Sequence, residues 1–275
     1  MDALLAPFGQ EFMQRGFIAA LVVGLLCSTM GTFVVLRKLS FIGDGLAHAS
    51  FAGIVIAYLK GFNYALGAAA VSVITALGIG FVHRRAKVSL DTSIGVLFTG
   101  AFALGIFLMS RAPSARVDLQ SYLFGYILGV SRQDLIVIVV LGLIVAGIVG
   151  ALYRPLMYTS FDPVVAQASG IRATFVDDAL LVLLSLTIIV SIQAVGIILV
   201  AALLVTPAAT AAQLTKRFVP MLVLSAAFGV TSAVGGLYLS YTFSSSSGAT
   251  IVLLATFFFF AAIGINAVRR RQPAP

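Results

Sequence analysis

Asp44 and His48 lie four residues apart inside the otherwise apolar stretch 41–59, which is long enough to cross a bilayer. An i, i+4 spacing puts both side chains on one face of a helix, one turn apart. A carboxylate in hydrocarbon costs roughly 2.5–3.5 kcal/mol on insertion scales, so such a residue faces a pore or a partner. Asp supplies a hard oxygen ligand and His a borderline nitrogen, a combination that suits Mn²⁺, Fe²⁺ or Zn²⁺. The pair reads as a metal-ion way-station in a membrane pathway. The competing reading is structural, with His48 tied to a neighbouring carbonyl and Asp44 neutralised.

The rest of the composition supplies the membrane. Of 275 residues, 61% are hydrophobic and 9% charged, with a mean hydropathy of +1.13, whereas soluble domains carry about 25% charged residues. The expected fold is an all-α polytopic helical bundle, one transmembrane domain over 1–275. A net charge of +8 would suggest nucleic acid in a soluble protein. Here the cations fall in short clusters between apolar runs, where they set topology. The first 15 residues include Asp2, Glu11 and Arg15 without the order of a cleavable signal peptide, so the first span is expected to direct insertion. The one cysteine, Cys27, reads as a small packing residue.

About 20 apolar residues span a bilayer core. On that scale eight or nine spans are expected, nine being favoured: 16–36, 41–59, 64–83, 92–110, 134–153, 179–193, 195–214, 219–240 and 249–268. The run 179–214 is read as two short antiparallel helices. One set of loops then holds twelve cations (Arg37, Lys38, Arg84, Arg85, Lys87, Arg154, Arg172, Lys216, Arg217 and 269–271) and the other five (Arg15, Lys60, Arg111, Arg116 and Arg132). The positive-inside rule puts the N-terminus outside and the C-terminus in the cytoplasm. Residues 117–133 are too short and too polar at their ends for a span and read as an external re-entrant or interfacial segment.

The longest inside connection is 155–178. Asp162-Pro163 is a helix start, an N-cap acceptor followed by proline at the first helical position, and Gly170 is a stop. The product is a short cytoplasmic helix over about 163–169, either an ordinary loop helix or a docking element for a cytoplasmic partner that includes Gln167. Elsewhere His83, beside Arg84 and Arg85, reads as interfacial. Asp91 and Asp177-Asp178 read as helix caps, and Met30 and Met109 as core. Pro207 should kink its span and free a carbonyl.

Some chemistry is missing from the chain. It contains no G-x-x-x-x-G-K-[ST], no G-x-S-x-G and no H-E-x-x-H, so it is not expected to be an enzyme. Asp44 is the one carboxylate set within a predicted span rather than at its edge, which argues against an intramembrane aspartyl protease and against a proton-coupled carrier. The energy for transport must come from elsewhere.

Several stretches resemble the membrane subunits of ATP-binding-cassette importers for manganese, zinc or iron. Arg37-Lys38-Leu39-Ser40-Phe41-Ile42-Gly43-Asp44 with Ala47-His48-Ala49 is similar to that family's second-helix signature, and Phe161-Asp162-Pro163 with Ala168-Ser169-Gly170-Ile171 to its cytoplasmic coupling segment. Val195-Gly196-Ile197-Ile198-Leu199-Val200 and Leu203-Leu204-Val205-Thr206-Pro207-Ala208-Ala209-Thr210-Ala211 resemble its most recognisable helix, and Gly248-Ala249-Thr250-Ile251-Val252-Leu253 the start of its last span. Two departures stand out. Tyr126 sits where the family often has an acidic residue, and Ser244 to Ser247 replace a turn that commonly has Asp and Pro, leaving a run that reads as a flexible loop.

The resemblance implies a multi-pass protein of the cytoplasmic (inner) membrane, working as two copies with two cytoplasmic ATPase subunits and an extracytoplasmic metal-binding protein. It also implies Asp44 and His48 as metal ligands, and Asp162, Pro163, Gln167 and Gly170 in ATPase coupling. Membrane lipid surrounds the chain, no nucleic acid is expected as a partner, and no cofactor is held permanently: the metal ion is cargo. One alternative is a permease for iron-siderophore or cobalamin complexes, bulky ligands that need a wide apolar cavity rather than an ionisable pair. Another is a membrane scaffold or assembly protein without transport. The topology is testable by reporter fusions at Met1 and Pro275, which should report opposite compartments; two cytoplasmic termini would overturn the nine-span threading.

Overall fold

The computed structural model describes residues 9–111 and 127–271. Its elements are α1 (Glu11–Leu36), α2 (Ile42–Lys60), α3 (Tyr64–Ala86), α4 (Leu90–Ser110), a 3₁₀ turn (Ile127–Gly129), α5 (Arg132–Ala151), α6 (Tyr153–Phe161), α7 (Pro163–Ala168), α8 (Ala173–Val195), α9 (Ile197–Leu214), α10 (Phe218–Thr242) and α11 (Ser247–Arg271). Among these residues nine helices are long and apolar enough to cross a membrane, all but α6 and α7. The expected polytopic bundle is therefore present, with each predicted span matched by one helix. Helices are the spanning form because lipid offers the backbone no hydrogen-bond partner.

α1 and α8 join two three-helix groups. α2, α3 and α4 pack together on one side, and α9, α10 and α11 on the other. α1 packs on α10 and α9, and α8 on α3 and α5. Lipid tails are as apolar as leucine, so helices associate where small side chains let backbones approach. At Gly31 a Cβ would sit 1.8 Å from the Leu204 carbonyl oxygen, so α1 and α9 touch backbone to backbone. Gly53 and Gly67 do the same for α2 and α3: a Cβ at Gly53 would lie 2.0 Å from the Gly67 oxygen. Contacts Gly16–Leu237, Gly24–Gly229 and Ser28–Ser225 step down α1 and up α10 in equal intervals, an antiparallel register.

Three features differ from the sequence reading. α8 begins at Ala173, before the predicted start at 179, and runs 23 residues; the run 179–214 is divided between two helices, as expected. They reverse at a single residue, Gly196, with φ 79° and ψ 168°, a region essentially closed to side chains. α6 was not expected; Pro155 sits in its first turn, where proline is tolerated. The serine run is an ordered turn. Ser244, at φ 48°, closes α10 with the bond Ser245 N–H to Ser240 O at 2.9 Å, and Ser245 and Thr250 hydroxyls meet at 2.9 Å.

Pro207 lies inside α9, which continues through it to Leu214. Of the expected external segment 117–133, only the part from Ile127 onward is described; Ile127 and Val130 are buried there, with Ile127 and Leu128 against Gly16 of α1. Tyr126 lies outside the described residues. Gly53→Ala is expected to destabilise the protein by about 1–3 kcal/mol through overpacking. Gly100→Ala, with nothing within 4 Å of its new Cβ, should be neutral or stabilising by up to about 1 kcal/mol. Thermal unfolding of both variants in detergent checks the contrast.

Candidate metal pathway and cytoplasmic coupling segment

α2 is gripped on three sides. A Cβ at Gly43 would meet Leu204 of α9 at 2.9 Å, one at Gly45 would meet Ile94 of α4 at 2.8 Å, and Gly53 abuts α3. Gly43 and Gly45 flank Asp44, so the face bearing Asp44 and His48 is the one left open. The Asp44 side chain is 51% exposed and that of His48 26%. Within one copy the pair opens outward instead of lining an internal cavity.

The imidazole is oriented by its own helix. His48 Nδ1 is 2.9 Å from the Asp44 carbonyl oxygen and 3.4 Å from Asp44 Oδ1. A carbonyl oxygen only accepts, so Nδ1 carries the hydrogen and donates it. In the neutral ring Nε2 therefore keeps its lone pair, the tautomer a metal ligand needs. Two phenylalanines of α4 flank the ring: Phe102 edge-on at 5.5 Å between centroids and Phe98 at 6.2 Å. Phe102 in turn packs on Phe51 at 5.5 Å. Sequence reasoning missed both. Their i, i+4 spacing was the available signal, lost among 21 phenylalanines. The tied imidazole of the structural reading is thus present, and it leaves a ligating nitrogen free of the bond. Among the described residues no group of three His, Cys, Asp or Glu side chains could enclose a metal ion.

The other assembly of polar residues lies at the opposite end of α1 from the Glu11–Arg132 ion pair. α7 forms where Asp162-Pro163 predicts it: Asp162 Oδ1 accepts from the Val164 and Val165 N–H groups, both at 3.0 Å. Gly170, at φ 81°, ends it, with Ile171 N–H donating to Ala166 O at 3.0 Å. Gln167 is exposed and borders a cavity of about 250 Å³ lined also by Arg37, His83, Arg84, Pro163 and Asp177. Val164 and Phe175, 76% and 63% exposed, give this end an apolar surface.

Other residues fall differently. His83 Nδ1 donates to the Val88 carbonyl at 2.7 Å, which ties down a helix end. Ser89 rather than Asp91 caps α4. Asp177 and Asp178 lie inside α8 and cap nothing; they pair with Arg37 and Arg84. Met30 is buried core, and the Cys27 thiol donates to Ser191 Oγ at 3.4 Å.

Residues 9–266 match the ABC 3 transport family. The chain belongs to that family. It is 46% identical over 242 residues to the manganese transport system membrane protein MntC of Halalkalibacterium halodurans, covering 88% of this chain and 83% of that one. It is 37% identical to a "Probable iron transport system membrane protein" of Haemophilus influenzae, covering 98% and 99%. Among solved structures, PsaBC from Streptococcus pneumoniae in complex with Fab superposes with a TM-score of 0.83 at 34% identity, over 95% of this chain and 94% of that one. As a family member, the chain is a multi-pass membrane component of an ABC transport system.

Proposed function

We propose that the chain is the permease subunit of an ATP-driven importer carrying a divalent transition-metal ion, manganese foremost, across the cytoplasmic membrane. The observation that carries this reading is the Asp44–His48 pair, an oxygen and an oriented Nε2 on the open face of a central membrane helix. Two ligands are too few to hold an ion tightly, since Zn²⁺ takes about four and Mn²⁺ about six. A second copy facing the first would bring two Asp44 and two His48 together. A weak shared site suits conduction, because an ion held too firmly does not leave. Relatives whose names specify manganese support the choice of metal; the relative named for iron keeps Fe²⁺ beside it. An ionisable pair is poor lining for a bulky siderophore or cobalamin.

Hydrolysis of ATP belongs in this reading to separate cytoplasmic subunits, with α7 as their dock and Asp162, Pro163, Gln167 and Gly170 giving it its shape and contact. The exposed valines of α7 and Phe175 lie at the end the cation bias assigns to the cytoplasm, where water rather than lipid would otherwise meet them. An extracytoplasmic metal-binding protein delivers the ion at the other end.

Asp44→Asn keeps the volume and removes the charge, and His48→Phe removes the nitrogen. Each is expected to abolish ⁵⁴Mn uptake by vesicles while leaving the protein folded and its ATPases bound. Uptake by the unaltered protein should weaken as the medium is acidified, because a protonated ring cannot ligate. Normal uptake by the double variant would refute the site. A cysteine placed at Gln167 is expected to cross-link to the ATPase subunit; labelling of it from outside intact cells would sink the docking role.

A further inference from the structure

Arg37 is the last link between α1 and the metal helix, and its side chain is only 13% exposed. Its guanidinium reaches both flanks of the coupling segment. Nε donates to Ser160 Oγ at 3.0 Å and Nη2 to Thr159 Oγ1 at 2.5 Å, both in α6 immediately before α7. Nη1 donates to Asp177 Oδ1, in α8 just after it. The two hydroxyls give their own hydrogens to the α6 backbone, Ser160 to Leu156 O at 2.6 Å and Thr159 to Pro155 O at 2.9 Å. Their lone pairs are thereby aimed at Arg37.

The connection from Arg37 to α2 has no slack. Lys38 takes the left-handed position, φ 57°, with Lys38 N–H to Val35 O at 3.2 Å and Leu39 N–H to Val34 O at 2.9 Å. This is a Schellman closure. Ile42 N–H then bonds Leu39 O at 2.9 Å and opens α2, with Leu39 and Ile42 both buried. Asp44 is two residues further on. The neighbouring Asp178 binds Arg84 of α3 through two bonds of 2.8 and 3.2 Å, so consecutive aspartates in α8 hold two different helices. An exposed ion pair contributes little, but Arg37 is enclosed and triply bonded, and charge-assisted bonds are the stronger kind.

We propose that Arg37 is a positioning residue for transport: it makes the coupling segment and the Asp44–His48 helix move as one body. A displacement imposed on α7 shifts α6 and the start of α8, and the guanidinium carries that shift into the α1–α2 turn. This inference rests on the reading of α7 as the ATPase dock.

The test uses the full complex with its ATPases in liposomes, with Mn²⁺ as the probe, and reads metal carried per ATP hydrolysed. Arg37→Gln is expected to keep the ATPases bound and hydrolysis within about twofold, while metal per ATP falls roughly tenfold or more, a typical size for lost coupling between sites. Asp177→Asn leaves the hydroxyl contacts in place and should lower the same ratio less. The exchange Arg37→Asp with Asp177→Arg should recover part of it. An unchanged ratio in Arg37→Gln and Asp177→Asn would overturn the proposal, with docking intact. So would loss of ATPase binding in step with the ratio in both variants, the mark of a merely structural role. Failure of the unaltered permease to hold ATPases would bring down the docking reading and this inference with it.

Discussion

Missing side chains on α2 decide most of this structure. Glycines at 43, 45 and 53 let three neighbouring helices approach α2 closely, and such approach is the main cohesive resource where lipid competes equally for apolar surface. With those directions filled, one direction remains, and it bears the carboxylate and the imidazole. A charged helix that would be costly in isolation is thus secured mainly by contacts on its other faces, with Phe98 and Phe102 beside the imidazole. A side chain at 53 would have to displace α3, whose backbone it meets, while at 43 and 45 it would press on the side chains of Leu204 and Ile94.

The polar groups follow a second economy. Membrane interiors punish unpaired donors and acceptors, and most hydroxyls here bond to their own helix one turn back, as Thr187 does to Leu183 and Thr210 to Thr206. The charged bonds between helices lie near the ends, Arg37–Asp177 and Arg84–Asp178 at one and Arg132–Glu11 at the other. Between them the helices are held by close backbone approach and by a few neutral bonds, Ser225 to Ser28 O at 2.6 Å and Cys27 to Ser191 Oγ at 3.4 Å.

Much of this was legible in the sequence. Hydropathy located all nine spans because each is a long apolar run bounded by cations or turn residues. Asp162-Pro163 and Gly170 located α7 because capping is local chemistry. Long-range pairing was not legible: nothing adjacent in sequence tells Asp177 that Arg37 is its counterpart, so the aspartates were read by the local rule as caps. The starting point of α8 was misplaced for the same reason, since Asp177 and Asp178 look like the edge of a loop until their arginine partners are in place. The phenylalanines beside His48 and the choice of glycines that touch backbone were hidden by abundance. With 26 glycines and 21 phenylalanines, composition cannot say which ones matter.

The one-residue reversal at Gly196 also bears on how the chain is made. Between Asp178 and Lys216 the sequence has no charged residue, and Ala194, Val195 and Ile197 at the turn are buried. No hydrophilic loop exists there to be passed across the bilayer. Arg172 stands on one flank and Lys216 with Arg217 on the other, and the positive-inside rule favours both ends of the stretch on the same side. With no charge between them and a one-residue turn, α8 and α9 carry no separate orientation signal, so the flanking cations orient the pair together.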